Sequence, residues 1–191
     1  RIADCGRVEL SNLNRQVLYG DTDIGKLKVE AAKRRLKRLG PGLRLDIRPV
    51  EITRDNIDEL IGDCDAVVDA LDNFDTRYIL NEGCLRKGVP LVHGAVNGFY
   101  GQATTIVPGR TVCLRCIFPE APPQRTVPII GSMCGFIGSI EATETLKYLL
   151  KMGNLLENKL LMVDGLNIEL NEINLERVPA CRTCGSIWRR T

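Results

Sequence analysis

Apolar residues recur along this chain with two periods, and the switches between them mark its elements. From Ile24 the positions Leu27, Ala31, Ala32, Leu36 and Leu39 keep helical spacing until Gly40-Pro41-Gly42 breaks it. Between Leu43 and Val50, leucine, isoleucine and valine alternate with charged residues, the pattern of a half-buried strand. A short helix is predicted over 55–61 and a compact apolar strand over 66–70. Helical spacing returns from Asn73 to Arg86 through Tyr78, Ile79 and Cys84; 89–96 reads as a strand, Asn97-Gly98 as a turn and 102–107 as the return strand. Ile2-Ala3-Asp4 has the form of a strand exit. This alternation predicts an α/β fold, a Rossmann-like doubly wound, mainly parallel sheet.

The second half reads differently. Residues 107–128 are proline-rich, hold a cysteine pair and lack periodicity, so they read as a functional crossover loop. A helix is predicted over 136–152 with Ile140, Leu146, Leu149 and Leu150 inward and Glu144 to Lys147 as a surface pair. Strands over 158–163 and 167–175 form an antiparallel C-terminal extension. At 191 residues one domain, 1–191, accommodates all of this.

Composition narrows the function classes. An apolar fraction of 44%, a charged fraction of 26% and a net charge of +2 belong to an ordinary globular chain and give no basic footprint for nucleic acid; Arg189-Arg190 reads as a solvated tail. No apolar run reaches spanning length and no export signal is visible, so the expectation is a cytoplasmic protein with no membrane partner. The eight cysteines divide into two C-x-x-C pairs and four single residues, Cys5, Cys64, Cys84 and Cys134, which read as small buried hydrophobes. Zinc prefers four tetrahedral thiolates. Cys113-Leu114-Arg115-Cys116 and Cys181-Arg182-Thr183-Cys184 therefore read as one structural zinc site clamping the crossover loop to the C-terminal segment. A redox pair or two disulfides is the alternative reading of the same spacing.

A second constellation lies near the start. Ser11-Asn12-Leu13-Asn14-Arg15-Gln16 follows the strand exit, and Lys28 opens the first helix just after Gly25. Backbone amides, a guanidinium and an ammonium at a helix start are the donors a polyphosphate requires, although ordinary surface groups supply the same residue types. Asp72-Asn73, directly after an apolar strand, stand where open α/β sheets bind ligands. A carboxylate there holds Mg2+ against phosphates, or equally caps the following helix.

Taken in order, Asp4, S-N-L-N-R-Q (11–16), G-x-x-K (25–28), D-N (72–73), R-x-x-x-N (77–81), C-x-x-C, G-F-I-G-S-I-E-A (135–142) and C-x-x-C give a sequence that resembles the ThiF/MoeB/HesA family of adenylyltransferases, relatives of the ubiquitin-activating enzymes, from Arg1 to Gly185. The resemblance implies an ATP-dependent homodimer that activates the C-terminal glycine carboxylate of a ubiquitin-like sulfur carrier protein of the thiamine, molybdopterin or thiolation pathways. It places Asp4 at the ATP ribose, and Ser11, Asn12, Leu13, Asn14, Arg15 and Lys28 at the phosphates. Asp72 with Asn73 would set Mg2+ and the reacting phosphate, and Cys113, Cys116, Cys181 and Cys184 would hold Zn2+. Arg15, Lys28 and Asp72 are its catalytic candidates.

The chain departs from that family in three respects. The family's first strand, its glycine-rich loop and an arginine lent across the dimer lie upstream of the position of Arg1, so these 191 residues are expected to bind ATP poorly. A catalytically incompetent, zinc-stabilised carrier-binding or dimerisation module is the alternative reading. Gly6 stands where relatives often carry a second acid. No cysteine lies at 124–126, where some relatives carry one for sulfur or thioester transfer, and Cys134 reads as packing at a helix start. A nicotinamide-dependent dehydrogenase, the third reading, leaves the cysteines unexplained. His93 reads as a satisfied core group, Trp188 as packing, and Arg77 with Asn81 as either nucleotide-facing or structural. Phe99-Tyr100 with the late strands reads as a docking strip for a carrier or a second protomer.

Overall fold

The computed structural model describes residues 1–123 and 128–185; positions 124–126, Trp188 and Arg189-Arg190, singled out above, lie outside the described residues. The chain opens with β1 (Ile2–Ala3), single-turn 3-10 helices at Leu10–Asn12 and Asp21–Asp23, and α1 (Lys28–Leu39). β2 (Ile47–Arg48) runs parallel to β1 with Ile2 opposite Ile47. After α2 (Ile57–Ile61), β3 (Val67–Asp69), α3 (Phe74–Lys87) and β4 (Leu91–Asn97) form a strand-helix-strand unit, parallel, with Asp69 opposite His93. β5 (Tyr100–Ile106), β6 (Lys159–Asp164) and β7 (Glu169–Asn174) then add on antiparallel, giving a five-stranded sheet in the order β3-β4-β5-β6-β7. The α/β class and the antiparallel C-terminal extension are as the sequence predicts. Among the described residues no helix is long and apolar enough to cross a membrane.

Local chemistry explains the boundaries. Asn73 caps α3 by accepting the Thr76 N–H at 2.9 Å, and Gly88 ends the helix in the left-handed region at φ 69°. The capping residue is thus Asn73, which removes the alternative that Asp72 caps. α1 begins at Lys28 and not at Ile24, because the 3-10 turn at 21–23 and Gly25, at φ 82°, break the chain first. β2 is shorter than the alternation over 43–50 predicts, since β1 offers it only two residues to pair with. The β4–β5 turn falls on Gly98-Phe99, one position later than predicted, with Gly98 at φ 59°. Among its described residues the crossover loop contains one helical turn, α4 (Leu114–Ile117).

The largest correction concerns α5, which spans Gly131–Leu150. Its buried face is Met133, Ile137, Glu141 and Glu144, whereas Leu146, Leu149 and Leu150 are exposed. Close approach selects this stripe. A Cβ at Gly101 on β5 would stand only 2.5 Å from Ile137, so the bare backbone there makes room for the stripe that carries Ile137 and Met133. Glu144 is not a surface residue: at 2% exposure it accepts the Thr105 hydroxyl at 2.6 Å and the Leu156 N–H at 2.7 Å, and pairs with Lys147. Of the single cysteines only Cys84 is buried; Cys64 and Cys134 are half-buried and Cys5 is exposed, correcting the expectation of four buried hydrophobes.

One core cluster joins Ile57, Ile61, Tyr78, Leu91 and Ile106 to Cys113 and Leu114; a second joins Ala103, Met133, Ile137, Leu161 and Val163 beneath α5. Glu144→Ala is expected to cost about 2–4 kcal/mol by orphaning a buried hydroxyl and a buried N–H. Urea denaturation checks this: the midpoint should fall with unchanged slope, and Glu144→Gln, which keeps an acceptor oxygen, should lose less.

Candidate active site and metal centre

β3 ends on Asp69, 1% exposed, whose carboxylate is answered on both oxygens. Oδ1 accepts the Leu71 N–H at 3.0 Å; Oδ2 accepts His93 Nδ1–H at 2.6 Å and pairs with Arg77 Nε at 3.2 Å. Arg77, on the first turns of α3, also donates to the carbonyls of Leu71 and Gly94. The backbone at Leu71 is therefore held at its N–H by Asp69 and at its oxygen by Arg77. The next residue is Asp72, exposed, with the Asn73 amide donating to it at 3.3 Å. His93 is a satisfied core group, its Nε2 facing the Gln102 amide at 3.3 Å, and Arg77 serves structure through these bonds.

Glu141 of α5 completes the cluster. Its carboxyl occupies the space a Gly94 Cβ would take, 2.4 Å from that position, and burial together with the Asp69 charge lifts its pKa to about 8, against the pull of Arg77. In the sequence it stands out only as the acid of the G-F-I-G-S-I-E-A stretch (135–142), a motif that marks the family without giving Glu141 a role of its own.

At the exit of β1, Asp4 Oδ1 accepts the Gly6 N–H at 2.6 Å while Oδ2 faces Lys28 Nζ at 3.9 Å. A Cβ at Gly6 would stand 2.9 Å from Asp4 Oδ1 and 3.5 Å from Lys28 Nζ, so position 6 borders this pair directly. In the loop that follows, Asn12 is buried and accepts the Glu9 N–H, Ser11 faces Glu9, and Arg15 donates through Nη1 to the Ser11 carbonyl and to Asn14. The loop seats on the start of α5: Asn14 donates to the Ile129 carbonyl at 3.1 Å, and a Cβ at Gly131 would stand 2.3 Å from the Asn14 oxygen. Leu13 follows the single turn and donates its N–H to Leu10. The structure thus brings Lys28 to Asp4, and Arg15 to the α5 start. No ion pair among the described residues joins either cation to Asp72.

The four paired cysteines converge. All four sulfurs lie within 4.8 Å of one another, with Cys113–Cys116 at 4.0 Å, Cys113–Cys181 at 3.8 Å and Cys116–Cys184 at 3.5 Å. Zinc–sulfur bonds of about 2.3 Å in a tetrahedron give edges near 3.8 Å. The observed gaps match those edges and are almost twice a disulfide bond of about 2.05 Å, so the donor set fits zinc and the two-disulfide reading falls. The bond with Cys184 and burial push the Cys113 thiol up, and burial does the same to Cys116. Ionising these two thiols side by side needs a cation between them.

The doubly wound half, the polar cluster at the end of β3 and the four-sulfur clamp define the class of ThiF-type adenylyltransferase domains. The ThiF family signature matches residues 1–183, and the chain belongs to that family. It is 41% identical over 190 residues to the SAMP-activating enzyme E1 of Haloferax volcanii, covering 96% of this chain and 70% of that protein. It is 39% identical over 195 residues to the sulfur carrier protein adenylyltransferase of Thermus thermophilus, covering 96% and 72%. Among solved structures, E. coli MccB with ATP shares the fold at a TM-score of 0.85 and 23% identity, over 96% of this chain and 58% of MccB.

Two measurements follow from this site. In the fold Glu141 keeps its proton to about pH 8, against 4.5 in the unfolded chain. Between those values the native state binds more protons, so the contribution of this residue to stability falls as pH rises, by up to about 1.4 kcal/mol per pH unit. Glu141→Gln should remove that slope, and urea midpoints taken between about pH 5 and 8 should move in its favour relative to the parent as pH increases. Purified protein should carry one zinc per chain, and Cys181→Ser should lose it and melt at lower temperature, read by metal analysis and calorimetry.

Proposed function

We propose that this domain uses ATP to adenylate the C-terminal carboxylate of a ubiquitin-like sulfur carrier, in the cytoplasm and as a homodimer. The observation that carries the reading is Asp72, an exposed carboxylate past the carboxyl end of β3 on backbone clamped by Asp69 and Arg77. The name of the Thermus thermophilus relative supports the carrier, and a four-thiolate metal site suits a reducing compartment.

Both reactants are anions, so the protein must compensate charge and hold an alignment. Asp4 steadies Lys28 while its other oxygen is taken by Gly6, and Arg15 commits only Nη1 to its own loop, leaving the rest of its fork for phosphate oxygens. Ser11, Asn12, Leu13 and Asn14 give the loop its shape. Mg2+ takes one or two carboxylates and completes its shell with phosphate oxygens and water, and Asp72 with Asn73 would hold it while it neutralises phosphate charge. In the reaction a carboxylate oxygen bonds the α-phosphorus, the bond from that phosphorus to the bridging oxygen breaks, and acyl adenylate and pyrophosphate result. Tyr100 and Ile173 lie exposed on one face of the antiparallel extension, with Phe99 exposed in the turn before them, and offer the carrier or a second protomer apolar contacts.

In the full-length protein, Asp72→Ala should reduce carrier-dependent ATP/pyrophosphate exchange about a hundredfold, the loss of roughly 3 kcal/mol expected for one preorganised contact. Undiminished exchange would overturn the role of Asp72. Carrier binding without any exchange in the parent protein would favour the interaction module instead.

A further inference from the structure

α3 meets two centres. Its first turns carry the Asn73 cap and Arg77, which holds the Leu71 carbonyl before Asp72. The following turn carries Tyr78 and Asn81, and these reach the first cysteine pair. Asn81 is wholly buried, and its Oδ1 accepts the N–H of Leu114 at 3.1 Å, inside the Cys113–Cys116 turn. Tyr78 donates its hydroxyl to the Phe118 carbonyl at 2.9 Å, and its ring lies beneath the Arg115 guanidinium at 3.2 Å. Among the described residues the Asn81 Nδ2 finds no acceptor, although it is buried from water.

Burying an amide in a core cluster is costly unless it does work for the fold or the site. The bond to Leu114 is such work. A C-x-x-C turn presents two sulfurs on one edge only if the backbone between them keeps its shape, and Leu114 is the residue immediately after the first sulfur. The groups around a metal's ligands orient them, and losing one typically costs 10–100-fold in metal affinity.

We infer that Asn81 is a positioning residue for the four-cysteine site, docking the Cys113–Cys116 turn on α3, and that α3 thereby links the metal centre to the Asp72 backbone. The link to Asp72 as a catalytic group rests on the function proposed above; the docking of the metal site does not. Arg77 and Asn81 lie four residues apart, so one rigid turn of helix separates the clamp on Leu71 from the clamp on Leu114.

The test uses zinc-loaded full-length protein and a chromophoric chelator. Asn81→Leu, close in size but without the acceptor, should surrender zinc 10–100-fold more readily than the parent. Tyr78→Phe, which removes only the hydroxyl bond to Phe118, should do so a few-fold more readily and decides the matter if Asn81→Leu does not fold. Leu85→Ala, buried on the same helix and giving the turn no hydrogen bond, should keep the parent's zinc affinity while losing comparable stability. Hydrogen exchange of the amides at 71–77, independent of adenylation, should quicken at least tenfold when zinc leaves the parent. Parent-like zinc retention in both Asn81→Leu and Tyr78→Phe would overturn the docking role, and unchanged exchange at 71–77 on zinc removal would overturn the link.

Discussion

A carboxylate sealed from water must have its charge answered at every lone pair, and the architecture around the candidate site follows from how Asp69 meets that demand. Its partners come from its own loop, from α3 and from β4, so one side chain ties the end of a strand to the helix that follows and to the neighbouring strand. Arg77 extends the tie to two carbonyls, and Glu141, kept neutral by burial beside a like charge, sits against the group without adding a second buried anion. Two ionised acids and one arginine would leave the interior with unbalanced charge; one ionised acid and one arginine do not. The exposed acid at position 72 gains a fixed place because the residues before it have no freedom left.

Sequence patterns exposed the outline of this arrangement and hid its centre. α3 and β3 were legible because helical spacing and a short apolar run are local signals, and the C-x-x-C pairs were legible because metal chemistry dictates their spacing. Asp69 was not singled out, since an acid closing an apolar strand looks the same whether it faces water or an arginine eight residues on. Glu144 was misread for a related reason: a glutamate three residues before a lysine satisfies the rule for a surface pair, and only the Thr105 hydroxyl and the Leu156 N–H, distant in the chain, draw it inside. The leucines of α5 misled through their number, because the packing line is set by the missing side chain at Gly101 on another element.

The candidate phosphate residues show the limit of order along a chain as a guide to geometry. Their succession identified the family, yet the contacts the fold makes are between Lys28 and Asp4 and between the Arg15 loop and the start of α5. Each group is anchored by its own neighbours, with donors left unspent. On the proposed function, the donors left unspent on Arg15 and Lys28 are the ones a phosphate would take.

The two halves of the sulfur clamp are 68 residues apart. On a ribosome adding roughly 5–20 residues each second, the first pair waits on the order of 3–14 s for the second. Until then the turn after β5 is a half-site of weak metal affinity, with α3 already available to shelter it. Closure of the clamp is therefore late in the biogenesis of this domain, since it waits on residues 181–184. A cell short of zinc would accumulate domains whose sheets are formed while the segment around Cys181 and Cys184 is loose, and proteolysis would find that difference first.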